Sequence, residues 1–271
     1  MSGSHPASSN AIGADEEWLG RRHHLEEYAC EAAEMAFFMF CVVGIVTALF
    51  APGSSVTVPA SLRMFLAGLL AGLAFLAVAV SPPGRLSGAH VNPVVSLAFW
   101  LVGKMQFRDM VGYVVGQAAG AVAGVGIGQA VLGSPAREIR DAALRPGPGV
   151  SPATAFWSEA AVTFILLTLV LTFVSNKALV HWTAPMVTAL ICALVSLDGS
   201  VSGCGFNPAR WLGSALVAGA WELSWVYTLG PLLGMLLTVA ARRRLAGRLP
   251  LTGKLFHDYR YRSLFDIPRR A

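Results

Sequence analysis

Charged side chains are scarce in this chain of 271 residues. Asp, Glu, Lys and Arg make up 13% of the sequence, about half of the roughly 25% that is usual in soluble domains. Hydrophobic residues reach 55%, and the mean hydropathy is +0.61. So few polar groups cannot cover an ordinary globular surface, which argues against a water-soluble enzyme and for a membrane domain with short tails.

Cysteine pairs, metal-ligand clusters and a targeting signal are also missing. The four cysteines form no CxxC pair and stand in no His/Cys cluster at zinc spacing, so neither a disulfide framework nor a metal site is expected. The N-terminal stretch MSGSHPASSN lacks the basic-then-apolar pattern of a cleavable signal peptide. No nucleophile–base pair is evident, and we therefore expect no catalytic residue and no cofactor.

The basic residues are concentrated at one end of the chain. The net charge is +5, and nine basic residues follow the last apolar run within residues 242–271. This position is typical of a juxtamembrane cytoplasmic tail and not of a nucleic-acid groove. An even number of spans would place most Lys and Arg on the side of both termini, so we expect cytoplasmic termini, a plasma (inner) membrane and no nucleic-acid partner.

Six apolar runs are long enough, or nearly so, to cross a bilayer, which takes about 20 residues. They occupy residues 31–50, 62–81, 109–132, 154–175, 182–198 and 223–241. We therefore expect a membrane domain over residues 30–241, a polar cytoplasmic tail over 1–29 and a basic cytoplasmic tail over 242–271. The first tail is either loosely ordered or a short interfacial helix.

Glycine recurs at every fourth position of the third run, at residues 112, 116, 120, 124 and 128. Gly68/Gly72 and Gly230/Gly234 repeat this spacing on the second and sixth runs. Such a series flattens one helix face and allows close helix contact. The pattern predicts a tightly packed helical bundle.

Two further apolar stretches are too short to cross, and both begin with Asn-Pro. The first follows Asn92-Pro93 and the second follows Asn207-Pro208. Asparagine is a favoured helix N-cap, and proline fits the first helical position. Both stretches are therefore predicted to be re-entrant half-helices.

The two stretches belong to an internal repeat. SGAHVNPV at 87–94 matches SGCGFNPA at 202–209, and Glu-Ala-Ala begins at both Glu31 and Glu159. The repeats cover about residues 30–132 and 154–241. Three spans per repeat invert the second repeat relative to the first. The predicted fold is an all-α membrane protein with six transmembrane helices and two half-helices in an inverted repeat.

These motifs resemble those of the aquaporin or major intrinsic protein family over about residues 28–241. The twin motifs are Asn92-Pro93-Val94 and Asn207-Pro208-Ala209, and Arg210 follows the second. Val94 departs from the usual alanine. The resemblance implies a homotetrameric, cofactor-free passive channel in the lipid bilayer, which conducts water and small neutral solutes and excludes protons and ions.

The resemblance also implies roles for buried charges. In this family, carboxylates at the positions of Glu31 and Glu159 accept hydrogen bonds from the re-entrant loops and act as structural braces. Glu34, one turn after Glu31, is a competitor for the first of these roles. Arg210 is expected to line the outer constriction, where it donates to solutes and repels cations.

Three other constriction positions follow from the family pattern. Two of them are Cys204 and Val195. The third, on the second span, is Ala71 if SPPGR at 81–85 contains one extra residue, and Leu70 is the alternative. Ala71 and Val195 would make the ring wider and less polar than in strict water channels. A ring of this kind admits small uncharged solutes such as peroxide, urea or metalloid acids. By contrast, Trp211 and Ala215 stand where glycerol channels usually carry an acidic and a basic residue.

Smaller expectations and alternatives complete this interpretation. His90 either matches a histidine that is often found at this position in the family or only packs its loop. Asp198 is expected at the outer vestibule, and a pore-facing Cys204 predicts block by mercury. One alternative function is a solute-selective facilitator with little water conduction. Another is an ion-coupled secondary transporter. Such a transporter would need acidic or hydroxyl groups beside the break between the half-helices, where this chain has Asn, Pro and aliphatic residues. A membrane scaffold would leave Arg210 without a purpose.

Overall fold

The computed structural model describes residues 9–176 and 178–245, with side chains from residue 24 to residue 244. The basic tail beyond residue 245 lies outside the described residues, and so do the side chains of Trp18 and Leu19, on which an interfacial helix would depend. The backbone of the first helix begins at Ser9 and continues into the first span.

Regular structure in the described part of the chain is helical. The α-helices are α1 (Ser9–Phe50), α2 (Ala60–Val80), α3 (Pro82–Ser87), α4 (Pro93–Leu101), α5 (Phe107–Leu132), α6 (Ser134–Glu138), α7 (Pro152–Val174), α8 (Thr183–Asp198), α9 (Pro208–Ala218) and α10 (Ser224–Leu245). Short 3₁₀ turns cover Arg140–Ala142 and Val180–Trp182.

Within the described residues, six segments are long and apolar enough to cross a membrane: His24–Phe50, Ala60–Val80, Phe107–Leu132, Pro152–Val174, Val180–Asp198 and Ser224–Arg244. Helices α4 and α9 are only 9 and 11 residues long. The predicted fold of six transmembrane helices and two half-helices is thus confirmed. We call the end of the bundle with the N-terminal part of α1 and the C-terminal end of α10 the terminal side, and the opposite end the distal side.

Helix α3 was not predicted from the sequence. Its first turn is capped by Ser81, whose Oγ accepts a hydrogen bond from the Gly84 N–H at 3.1 Å, and it ends at Gly88 with a φ of 94°. The two consecutive prolines at its start suit the first turn of a helix, where their missing N–H groups would be unpaired anyway. This short helix carries the chain from α2 into the first re-entrant loop.

Helix contacts follow the inverted repeat. Helix α1 packs on α5 as α7 packs on α10, and α5 packs on α9 as α10 packs on α4. The contact of α2 with α8 joins the two repeats directly. Exchanging the repeats therefore maps these contacts onto one another, as expected for a pseudo-two-fold axis in the membrane plane.

The glycine series is used for contacts within the chain. A Cβ added at Gly120 would lie 2.1 Å from the Ala32 carbonyl oxygen on α1, and one added at Gly124 would lie 2.1 Å from that of Ala36. Gly234 stands equally close, at 2.2 Å, to the Ala160 carbonyl oxygen on α7. The helix backbones touch along these faces, so the series gives no support for contacts between subunits.

We expect Gly120→Ala to destabilise the protein by roughly 1–3 kcal/mol, because the added methyl group must displace the α1 backbone. Thermal unfolding of the detergent-solubilised protein measures this change. The matched control is Gly126→Ala on the same helix, where nothing lies within 4 Å of the added Cβ. Equal unfolding temperatures for the two variants would contradict the close α1–α5 contact.

Candidate functional site

The two half-helices begin at the two asparagines. The Asn92 Oδ1 accepts a hydrogen bond from the Val94 N–H at 3.1 Å. The Asn207 Oδ1 accepts one from the Ala209 N–H at 3.0 Å and a longer one from the Arg210 N–H at 3.3 Å. Both asparagines have extended backbones, as N-caps do.

The same side chains also tie the two repeats together. The Asn92 Nδ2 donates to the Phe206 carbonyl at 2.9 Å, and the Asn207 Nδ2 donates to the Val91 carbonyl at 2.7 Å. Each asparagine therefore binds the residue that precedes the other asparagine. Since an amide nitrogen carries two hydrogens, each Nδ2 has one more to offer, and both side chains lie at the wall of a central cavity.

The loop residues before each asparagine adopt an unusual backbone. Ala89 and Val91 have φ angles of 49° and 38°, and the equivalent Cys204 and Phe206 have 52° and 36°. Residues with side chains seldom adopt positive φ, and for β-branched valine this is an outlier. Such strain persists only where the surroundings hold the chain firmly.

Glu31 holds the first loop. Its carboxylate is fully buried and accepts hydrogen bonds from the backbone N–H groups of His90 and Val91, both at 2.8 Å. The Gln117 amide on α5 donates to it at 2.6 Å. These donors satisfy a carboxylate that would otherwise be costly at membrane depth.

Glu159 holds the second loop in the same way. It is fully buried and accepts from the N–H groups of Gly205 at 2.7 Å and Phe206 at 2.6 Å. The Ser202 hydroxyl lies 2.6 Å from its Oε1 atom. The two carboxylates thus contact the same pair of positions in the two repeats.

A tyrosine supports each loop from a glycine-rich helix, a feature that the sequence analysis missed. The Tyr113 hydroxyl on α5 donates to the Ser87 carbonyl at 2.6 Å, and the Tyr227 hydroxyl on α10 donates to the Ser202 carbonyl at 2.8 Å. The repeated spacing of Tyr, then Gly three and seven residues later, in both helices is the signal that could have found them.

Glu34 does not take the place of Glu31. It is buried, and its carboxylate accepts a hydrogen bond from the Ser87 hydroxyl, with distances of 2.9 and 3.1 Å to its two oxygens. Of these two carboxylates, only Glu31 accepts hydrogen bonds from the N–H groups of His90 and Val91.

Asp198 lies at the end of α8 on the distal side. It is only 7% exposed, and its carboxyl group contacts the hydroxyl groups of Ser158 and Ser202.

A small cavity of about 90 Å³ lies inside the bundle, with the two asparagines in its wall. Its walls are mainly apolar and come from both repeats: Phe38 and Val42 on α1 match Leu166 and Val170 on α7. Toward the distal side it meets a wider vestibule of about 650 Å³. Residues that line both spaces are Val46, Ala67, Val195, Gly203 and Arg210.

Arg210 is the charged residue at this junction. Its backbone is held by the Asn207 cap at the start of α9, and its Nη1 is buried without a hydrogen-bond partner. The equivalent position in the first repeat, three residues after Asn92, is Val95. The cavity therefore has a positive charge near its distal end and an aliphatic side chain at the pseudo-symmetric place.

Cys204 and Val195, expected at the constriction, both line the cavity. On α2 the cavity-lining residues are Ala67, Ala71 and Phe75, whereas Leu70 is 41% exposed on the outer surface. Of the two alternatives on the second span, Ala71 is the one at the cavity wall. Ala67, one turn nearer the distal side, was not anticipated.

His90 lies where the first loop meets the cavity. It lies at the cavity wall, and its Nδ1 is 2.9 Å from the Ser96 hydroxyl on α4. Its ring also contacts Phe99 and Tyr113, with centroid distances of 4.9 and 5.1 Å. The imidazole therefore packs the first loop beside the cavity.

Comparison with known proteins now decides the family. The model of the family described as Major intrinsic protein matches residues 21–241. The chain belongs to the major intrinsic protein family. This confirms the resemblance seen in the sequence, and it places the chain in a family of membrane channels.

Relatives with similar sequences include plant and archaeal proteins. The chain is 33% identical to Aquaporin NIP1-1 of Zea mays over 204 residues, which cover 73% of this chain and 67% of that protein. It is 29% identical to Aquaporin AqpM of Methanothermobacter marburgensis over 214 residues, covering 71% of this chain and 85% of that protein.

A solved structure supports the fold of this major intrinsic protein. The aquaglyceroporin from Plasmodium falciparum superposes with a TM-score of 0.68 at 21% sequence identity, covering 83% of this chain and 97% of that one. The relatives thus include proteins named as aquaporins and one named as an aquaglyceroporin. Family membership by itself leaves the choice between water and larger solutes to the residues of the cavity.

Proposed function

We propose that the protein is a passive channel for water and small uncharged solutes that excludes protons and other cations. The observation that carries this proposal is the meeting of two helix N-termini at one narrow cavity, where two asparagine amides and Arg210 supply hydrogen-bond donors. Helices of 9 and 11 residues are about 14 and 17 Å long. Together they match a hydrocarbon core of about 30 Å.

The electrostatics of this arrangement oppose cations. Each helix N-terminus carries a partial positive charge of roughly half an elementary charge, and both point at the level of Asn92 and Asn207. Arg210 adds a full charge on the distal side. A passing water oxygen can accept hydrogen bonds from these donors, whereas a hydronium ion meets a repulsive potential.

The junction of cavity and vestibule supports passage of small neutral solutes in addition to water. Besides Arg210, the residues that line both spaces are small or aliphatic: Val46, Ala67, Val195 and Gly203. Ala71 adds another small side chain just inside. A wall of this kind binds few water molecules, and it excludes larger solutes by their size rather than by their hydrogen bonding.

Topology and assembly are part of the same proposal. Most of the Lys and Arg residues that flank the spans lie on the terminal side, among them Arg242, Arg243 and Arg244 in the last turn of α10. By the positive-inside rule this side is cytoplasmic, and we propose the plasma (inner) membrane as the location. A homotetramer is proposed by analogy with the family.

Mercury block tests the placement of the pore. We expect proteoliposomes with the wild-type protein to shrink faster than empty liposomes in an osmotic gradient, and mercuric ions to abolish the difference through Cys204. Cys204→Ser should retain conduction and lose the block. The three other cysteines, Cys30, Cys41 and Cys192, remain in this variant as internal controls, so persistent block would place the reactive thiol outside the cavity.

A further inference from the structure

A buried serine stands between two carboxyl groups in the second re-entrant loop. The Ser202 Oγ lies 2.6 Å from the Glu159 Oε1 and 2.5 Å from the Asp198 Oδ2. It also accepts a hydrogen bond from the Cys204 N–H at 3.0 Å. All three of the oxygen-bearing side chains are buried.

Counting hydrogens shows that this cluster needs an extra proton. A hydroxyl group has one hydrogen to donate, and each of the two short oxygen–oxygen contacts needs a hydrogen between its atoms. Ser202 can supply only one of them. The other must sit on a carboxyl group, because an ionised carboxylate accepts hydrogen bonds and donates none.

The surroundings decide which carboxyl group carries it. Both oxygens of Glu159 accept hydrogen bonds from backbone N–H groups, Oε1 from Gly205 and Oε2 from Phe206. Such contacts are made by a carboxylate that only accepts hydrogen bonds. Asp198 instead accepts one hydroxyl hydrogen bond, from Ser158 to its Oδ1, which leaves its Oδ2 to donate.

We infer that Asp198 is a positioning residue that carries a proton and, through Ser202, fixes the second re-entrant loop in its conducting shape. The hydrogen bonds then run in one direction: Ser158 donates to Asp198, Asp198 donates to Ser202, and Ser202 donates to Glu159. Ser202 in turn holds the Cys204 backbone, whose left-handed conformation places this residue at the cavity wall.

The first repeat reaches a related arrangement by a different route. Its equivalent serine, Ser87, is bound to a second carboxyl group from α1, Glu34, whereas the equivalent position to Glu34 on α7 is Val162. The second acid at each serine therefore comes from a different helix. Asp198 is thus a feature of the second loop alone and not a copy of the repeat.

The water permeability of two Asp198 variants tests whether Asp198 acts as a protonated acid or as an ionised one. Asparagine reproduces the proposed state, because its Nδ2 can donate to Ser202 while its Oδ1 accepts from Ser158. We expect Asp198→Asn to keep the water permeability of the wild type and Asp198→Ala to lower it roughly fivefold, since it leaves the Ser202 Oγ without its donor. The control is Glu222→Gln on the same side, an exposed carboxylate paired with Arg140.

Infrared spectroscopy of the reconstituted protein detects the proton itself. The difference spectrum between wild type and Asp198→Asn should show the loss of a carbonyl band of a protonated carboxylic acid at neutral pH. The Glu222→Gln difference should show only the loss of ionised carboxylate bands. Loss of carboxylate bands alone in Asp198→Asn would overturn the inference.

The inference rests on the proposed channel function only for its transport readout. Equal permeability of Asp198→Ala and wild type would refute the positioning role, and so would an Asp198→Asn variant as impaired as Asp198→Ala. If Asp198→Ala does not fold, the asparagine variant and its spectrum still decide. A wild type that conducts no water would refute the channel proposal while leaving the infrared result interpretable.

Discussion

Replacing Glu159 by alanine is expected to abolish conduction and to lower the unfolding temperature more than any other proposed change except the matched Glu31→Ala. The carboxylate accepts from the N–H groups of Gly205 and Phe206 and contacts the Ser202 hydroxyl. Each buried donor left without an acceptor costs about 1–3 kcal/mol. The strained backbone at Phe206, with a φ of 36°, would then be held only through its carbonyl by the Asn92 amide.

The inverted repeat supplies a matched variant, Glu31→Ala, in the first loop. It removes the acceptor for His90 and Val91 and should cost a similar amount. Thermal unfolding in detergent and water permeability in proteoliposomes measure both variants, with the exposed Glu222→Ala as control. A Glu159→Ala protein with wild-type permeability and unfolding temperature would show that the loop does not depend on this carboxylate.

Replacing Arg210 by valine is expected to keep water conduction and to admit protons. Valine is the residue at the equivalent position of the first repeat, Val95, so its size suits such a half-helix. Two unit charges about 8 Å apart interact by about 2 kcal/mol at an effective dielectric constant of 20, and we take this as the amount by which removing the Arg210 charge from the cavity wall lowers the barrier to a cation. This corresponds to roughly a 30-fold rise in cation or proton leak.

A pH-sensitive dye inside proteoliposomes measures this leak under an imposed proton gradient. The matched control is Arg137→Val, which removes an exposed arginine on the same distal side. The control should leak no more than the wild type. An Arg210→Val channel as tight to protons as the wild type would assign the cation barrier to the helix N-termini alone.

Local chemistry made the fold and the half-helices predictable from sequence. Asparagine followed by proline determines where a helix begins, because both act through the first turn of the backbone. The spacing of the glycines likewise determines a flat helix face. The glycine pattern does not predict which helix packs against that face. For Gly120 this helix is α1 of the same chain.

Contacts between distant segments were out of reach of the sequence. The side-chain amides of Asn92 and Asn207 donate hydrogen bonds to the carbonyls of Phe206 and Val91, which lie 114 and 116 residues away in the sequence. Neither Asn-Pro motif contains a local signal for its contact with the other loop. The same holds for Asp198, whose expected place at the vestibule followed from its position at the end of a span. Its actual contacts depend on how α7 packs against the second loop.

The claim that this cavity passes water and excludes protons is tested most directly by measuring both fluxes in one preparation. Proteoliposomes containing the wild-type protein and an internal pH dye are exposed first to an osmotic gradient and then to a proton gradient. We predict osmotic shrinkage well above that of empty liposomes, with proton entry equal to theirs. Proton entry that rises together with water flux, or no gain in water flux at all, would contradict the account.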